Sequence, residues 1–185
     1  ARIFAGTFDG LFRTVRGVTL SGENDYTALF ERVTADGAIC RTAFDVRIDG
    51  DGRYTGLIGE NNGHIADLTV CGRVAGNDYV GAVAAVNAGG GTVENCRAAT
   101  AVEGVLNVGG IVGFNVGRIS DCRNVGAVND KTFSTAEARG MLNVGGVAGY
   151  STGTVEGCEN AASVGLGQGR NVGGIVGLSS GGLYM

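Results

Sequence analysis

Two stretches of sixteen residues, "GGIVGFNVGRISDCRN" (109–124) and "GGVAGYSTGTVEGCEN" (145–160), are nearly the same sentence, with glycine, apolar positions and cysteine held while most charged residues change. A chain that repeats itself at a regular spacing repeats a structural unit, and this limits the possible folds more than any other feature here. The runs "GLIG" (56–59), "AVAA" (82–85), "GIVG" (110–113), "GVAG" (146–149) and "GIVG" (174–177) align, with "ALFE" (28–31) as a degenerate earlier member. Their second residues, Leu29, Leu57, Val83, Ile111, Val147 and Ile175, are separated by 28, 26, 28, 36 and 28 residues. A second column reads Val15, Ile39, Ile65, Val93, Ile119 and Val155; a third reads Val18, Thr42, Leu68, Cys96, Cys122 and Cys158. Columns recurring together predict stacked, equivalent layers.

Each unit consists of short apolar stretches broken by Gly, Asn, Ser and Asp, the pattern of brief strands and turns. Glycines inside the apolar runs would each cost a helix about 1 kcal/mol relative to alanine. One unit cannot bury its own apolar face, but stacked units can, each pairing its backbone with the next at about 4.8 Å. The expected fold is all-β: a parallel β-solenoid (β-helix), right-handed by the usual rule for parallel connections, with about six coils of roughly 28 residues in a rod roughly 30 Å long. After the apolar run come "ENNG" (60–63), "FNVG" (114–117), "YSTG" (150–153) and "LSSG" (178–181), each with Asn or Ser two residues before Gly. Such residues turn a chain, and stacked Asn61, Asn115, Ser151 and Ser179 predict a polar ladder along the rod.

Composition agrees. The 36 glycines among 185 residues come with no proline, which excludes collagen, and the 44% hydrophobic content supplies a core that disordered chains lack. A formal net charge of −4 gives no electrostatic footprint for nucleic acid or an anionic membrane surface. No apolar stretch is long enough to span a bilayer, and the N-terminus lacks the layout of a signal peptide. With Ala1 in first place, the expectation is a mature or excised piece of a longer chain.

The residues resemble GLUG-motif repeats, named for a Gly-Leu-hydrophobic-Gly core that "GLIG" (56–59) matches letter for letter; "GGIVGFNVGRISDC" is similar to the fuller pattern, and "FAGTFDG" (4–10) with "RGVTL" (16–20) to an opening coil. Such repeats occur in large bacterial surface and secreted proteins, adhesin-like chains among them, and outside the catalytic domain of immunoglobulin A metalloproteases. The resemblance implies a non-catalytic extracellular or cell-surface scaffold, with a host glycan or glycoprotein, adjacent domains or copies of itself as partners. It divides the chain into degenerate N-terminal coils (1–53) and GLUG-like coils (54–185). Residues 26–44 lose most glycines and "GAVAAVNAGGG" departs from the pattern, so distorted coils are expected there.

Residues that could carry chemistry are sparse. Five cysteines cannot all pair within the chain, and Cys96, Cys122 and Cys158 share one column, as small residues stacked in a core would. No C-x-x-C, H-E-x-x-H or phosphate-loop spacing occurs, so no metal or cofactor is expected. His64, the one histidine, falls in a turn slot occupied elsewhere by Thr, Ala or Arg. "RIDGDGRY" opens like a calcium loop at Asp49 and Asp51, but Arg53 stands where a ligand belongs, and a tight acidic turn is the simpler reading. Parallel β-helices also carry carbohydrate-active enzymes, for which two carboxylates should converge on one groove; a self-assembling filament subunit is a further alternative.

Two candidate contact regions stand out. The 36-residue step holds an insertion near 129–140, where Lys131, Phe133 and Arg139 offer an aromatic contact and two charges, and Ser134 to Glu137 has capping-box spacing. Second, both middle residues of each core run are apolar. Strand residues alternate, so Ile58, Val112 and Val176 are expected to face outward and, with Phe114, Tyr150 and Leu178, to form an apolar contact stripe.

Overall fold

The computed structural model describes residues 2–129, 142–165, 170–180 and 183–184. These contain strands, bends and turns and no helix, hence none long and apolar enough to cross a membrane. The strands form two parallel sheets, of eleven and ten strands, wound as a β-solenoid of about six turns. The pairing Ala28↔Gly56, Ile58↔Ala84, Ala84↔Val112, Val112↔Ala148 and Ala148↔Val176 reproduces the spacings of 28, 26, 28, 36 and 28 residues.

The first three coils contribute long strands to the second sheet: Thr7–Gly22, Ala38–Gly50 and His64–Ala75. Later coils break into shorter pieces, as in Leu106–Gly109, Val112–Asn115, Arg118–Ser120 and Arg123–Asn124. Tyr54–Asn61 joins the two styles, because it pairs with both Tyr79–Gly81 and Ala84–Asn87. Beyond it the first sheet has two limbs per coil, separated by a bend such as Gly110–Ile111.

Glycine permits this bend. A Cβ on Gly113 would lie 2.6 Å from Val80 N, 2.7 Å from Ala85 O and 2.8 Å from Asn107 O. Gly177 repeats the situation against Asn143, Val144 and Asn171. The limbs approach backbone to backbone, which leaves no room for any side chain.

The bend corrects the expected outward face of the apolar pairs. Ile111 N and Val112 N both donate to Val147 O, at 3.0 and 2.9 Å. Successive amides of a regular strand point opposite ways, so alternation is broken here. Leu57 and Ile58 are fully buried, as are Ile111 and Val112, and Val176 is partly buried against the same core. Ile58 and Val112 therefore belong to the core and to no surface stripe.

The polar ladder is present and runs through the interior. Asn61 Nδ2 donates to Asn87 Oδ1 (2.9 Å), Asn87 Nδ2 to Asn115 Oδ1 (2.8 Å) and Asn115 Nδ2 to Ser151 Oγ (3.0 Å). All four residues are fully buried, and Ser179 lies in register with Ser151. Each Asn amide also donates to backbone carbonyls: Asn115 reaches Gly117 O and Thr154 O. The bonds satisfy buried polar groups at the corner and link coil to coil. A second ladder of opposite polarity runs from Asn171 to Asn143 to Asn107, each bond 2.8 Å.

Candidate functional site

With the interior closed, function falls to the surface. Along the first sheet the rings of Tyr26, Tyr54, Tyr79, Phe114 and Tyr150 stack in one row, with centroids 4.6, 5.4, 6.0 and 5.1 Å apart. Leu178 continues the row in register and is exposed. All five rings are half-buried. Arg53 lies over Tyr54 and Tyr79, 5.5 and 5.9 Å from the ring centres. Arg32 pairs with Glu60 at 3.2 Å, and the Tyr26 hydroxyl faces the same carboxylate. Burial, then the Glu60 charge, raises that phenol's pKa. Of the expected stripe, the structure thus assembles Phe114, Tyr150 and Leu178. Tyr26, Tyr54 and Tyr79 join them unannounced, because the contact from Tyr79 to Phe114 crosses from one limb to the other and has no fixed sequence spacing.

The second sheet presents rungs of opposite charge between neighbouring coils. Arg118 pairs with Glu156, Arg123 with Glu159 (3.3 Å), and Arg73 with both Asp49 and Glu103 (2.7 Å). His64 also reaches the next coil: its Nδ1 is 2.8 Å from Thr92 Oγ1 and its Nε2 3.4 Å from Glu94 Oε1.

An open cavity of about 490 Å³ is lined by Ser21, Glu23, Asp49, Asp51 and Asn77 among others. Asp49, one of the two calcium-loop candidates, is held there by Arg73 and by Arg47 at 3.1 Å. The backbone carbonyl of Asp51 accepts from Asn77 Nδ2 at 2.7 Å. Among the described residues no three His, Cys, Asp or Glu side chains are grouped to hold a metal ion.

The cysteines stack as their column predicts. Arg97 pairs with Arg123 and Arg123 with Glu159, which sets Cys96, Cys122 and Cys158 one above another. Each Sγ lies 3.2 Å from the carbonyl oxygen two residues before it, and Cys122 N–H points at Cys158 Sγ from 3.4 Å. All five thiols are free. The Cys158 thiol is pushed well above its ordinary pKa by its hydrogen bond with Cys122 and by burial. Cys158 lowers the Cys122 value, but Cys96 and burial outweigh it, and the net shift is upward. These thiols stay protonated, and thiols without thiolate character are poor nucleophiles.

Lys131, Phe133 and Arg139 lie outside the described residues. Asn129, at the edge of that insertion, is buried and exchanges hydrogen bonds with Gly104, donating at 3.0 Å and accepting at 2.8 Å. It belongs to the framework of the solenoid.

The geometry defines a parallel β-solenoid repeat protein whose distinctive surfaces are an aromatic row and charged rungs. No protein-family model matches the chain, and no solved structure matches it. Over 91 residues it is 34% identical to halomucin of Haloquadratum walsbyi (strain DSM 16790 / HBSQ001), a match covering 47% of this chain and 1% of halomucin.

Proposed function

We propose that this chain is a GLUG-type repeat segment of a surface or secreted protein, where it serves as a non-catalytic scaffold that holds an adhesive surface away from its anchorage. The observation that carries this reading is the unbroken linkage of coil to coil. Buried Asn rungs, aromatic stacking and Arg–carboxylate pairs all run along the rod, and such repetition builds length and rigidity. The similarity to halomucin, a mucin by name, supports an extracellular setting. The reading as a carbohydrate-active enzyme has less support, because Asp49 in the cavity between the first coils is engaged by two guanidinium groups.

Adhesion is assigned to the insertion, with Lys131, Phe133 and Arg139 as its contacts, and the ligand is a host glycan or glycoprotein. The test is retention of the purified protein on an array of glycans, mucins and immunoglobulins, beside a variant with residues 130–140 replaced by a short Gly-Ser turn and Asn129 kept. Retention that disappears in the variant supports the assignment. Equal retention of both moves the site to the rod, and no retention of either leaves a spacer without adhesive function.

A further inference from the structure

The first coil carries a feature that the repeat does not need. In the strand Thr7–Gly22, Asp9 pairs with Cys40 and Arg13 with Thr42, so Gly10, Leu11 and Phe12 stand opposite the single residue Arg41. The excess forms a knuckle. Leu11 and Phe12 have φ of 49° and 59°, a left-handed conformation that is an outlier for large side chains. They are also 64% and 74% exposed. Later coils have one left-handed residue in this region, at Arg41, Asp67, Asn95 and Asp121, without the added apolar pair.

The knuckle is braced. The Asp9 carboxylate accepts from Leu11 N–H at 3.0 Å and from Arg41 Nε at 3.0 Å, and the Arg41 guanidinium sits 5.7 Å from the Phe12 ring centre. Those hydrogen bonds, Arg41 first, hold the Asp9 carboxyl below its ordinary pKa. Strained backbone and exposed apolar side chains are both unfavourable in an isolated molecule, and their conjunction marks a contact site.

We infer that Leu11 and Phe12 insert into the interface of a lipid surface bearing anionic headgroups. Two protruding side chains fall far short of the roughly 800 Å² per partner of a specific protein interface. A lipid interface needs no matching surface, only apolar groups flanked by cations that stay at headgroup level. The flanks supply them. Arg13 and Arg16 are exposed and form no ion pair among the described residues, and over the first coil, residues 2–33, the four arginines Arg2, Arg13, Arg16 and Arg32 balance Asp9, Glu23, Asp25 and Glu31. Asp45, on the neighbouring strand, is the nearest opposing charge by register. The net charge of −4 for the whole chain does not describe this end. The inference does not depend on the insertion or on glycan binding.

The chain has no tryptophan, so Phe12→Trp places a single fluorophore on the knuckle. With vesicles of phosphatidylcholine and phosphatidylglycerol its emission should move to the blue, and the protein should sediment with the lipid. Pure phosphatidylcholine should retain much less, and Arg13→Gln with Arg16→Gln should remove the difference. Replacing Leu11 and Phe12 together by glycine should lower partitioning by roughly tenfold or more. The same variant should melt at a higher temperature, since glycine accepts positive φ without steric cost; lost binding then cannot be ascribed to unfolding. Wild-type protein that ignores anionic vesicles, or double-glycine protein that binds them equally, would overturn the inference. So would knuckle-dependent self-association in the absence of lipid, which would assign the site to a second copy.

Discussion

Asn87 donates from Nδ2 to Oδ1 of Asn115 at 2.8 Å, one coil away and wholly inside the rod. Asn115→Ala removes this acceptor together with the donor to Ser151 and to two carbonyls. Unsatisfied buried groups should cost about 3 kcal/mol in urea unfolding. Asn115→Ser, the residue that the next coil uses at position 151, should cost less than half as much.

Gly113 faces three backbone atoms that a methyl group would strike, and backbone cannot rotate away. Gly113→Ala should lower stability by about 3 kcal/mol or prevent folding. Gly89→Ala is the control: its Cβ would come no closer than 3.8 Å to Val116 Cγ1, and its midpoint should stay within about 0.5 kcal/mol of wild type.

Val112→Asp distinguishes a core position from a surface stripe. Val112 is fully buried, so a carboxylate there has neither water nor partner, and circular dichroism should show loss of the folded state. Tyr150→Ala, on the aromatic row, should leave the protein folded, with a loss of about 1 kcal/mol from the stacking on Phe114.

The thiol column makes stability fall on the alkaline side. Folding raises the pKa of Cys122 and Cys158, so above the ordinary thiol value, about 8.5, the unfolded chain releases protons that the folded chain retains. The unfolded state then binds fewer protons, and the free energy of unfolding decreases as pH rises. Stability from these groups is complete below that pH and is lost above it. Melting scans from pH 7 to 10 should show the decline, and Cys122→Ala with Cys158→Ala should flatten it.

Legibility in the sequence followed chemistry. Apolar columns recur from the coil of Ile39 onward, so stacking, register and the corner positions Asn61, Asn115 and Ser151 could be read there. The first coil departs from the expected columns: Phe8 and Arg13, not Val15 and Val18, pair with Ile39 and Thr42, because the excess residues Gly10 to Phe12 and a second shift between Val15 and Val18 displace the strand. Asn87 was missed because Ala82 and Ala85 replace the glycines that bracket the core run in the coils of Leu57, Ile111, Val147 and Ile175, although Asn87 still stands two residues before Gly89 and its ladder position is intact. The alternation rule misplaced Ile58 and Val112 because it assumes a straight strand, whereas Ile111 and Val112 share the carbonyl of Val147 at a bend. Leu11 and Phe12 are not turn formers themselves, and the Asp9-Gly10 pair before them marks a turn without specifying two left-handed apolar residues after it. Their left-handed backbone is imposed by pairing with the shorter segment of the next coil.

Scaffold and carbohydrate-active enzyme separate most directly when the protein is incubated with mucin and a panel of polysaccharides, and both retention and polymer chain length are followed. The scaffold account predicts retained ligand of unchanged length, with no new reducing ends or unsaturated sugars after prolonged incubation. Progressive shortening by the wild-type protein, abolished by Asp49→Asn or Asp51→Asn, would contradict it and place catalysis in the cavity between the first coils.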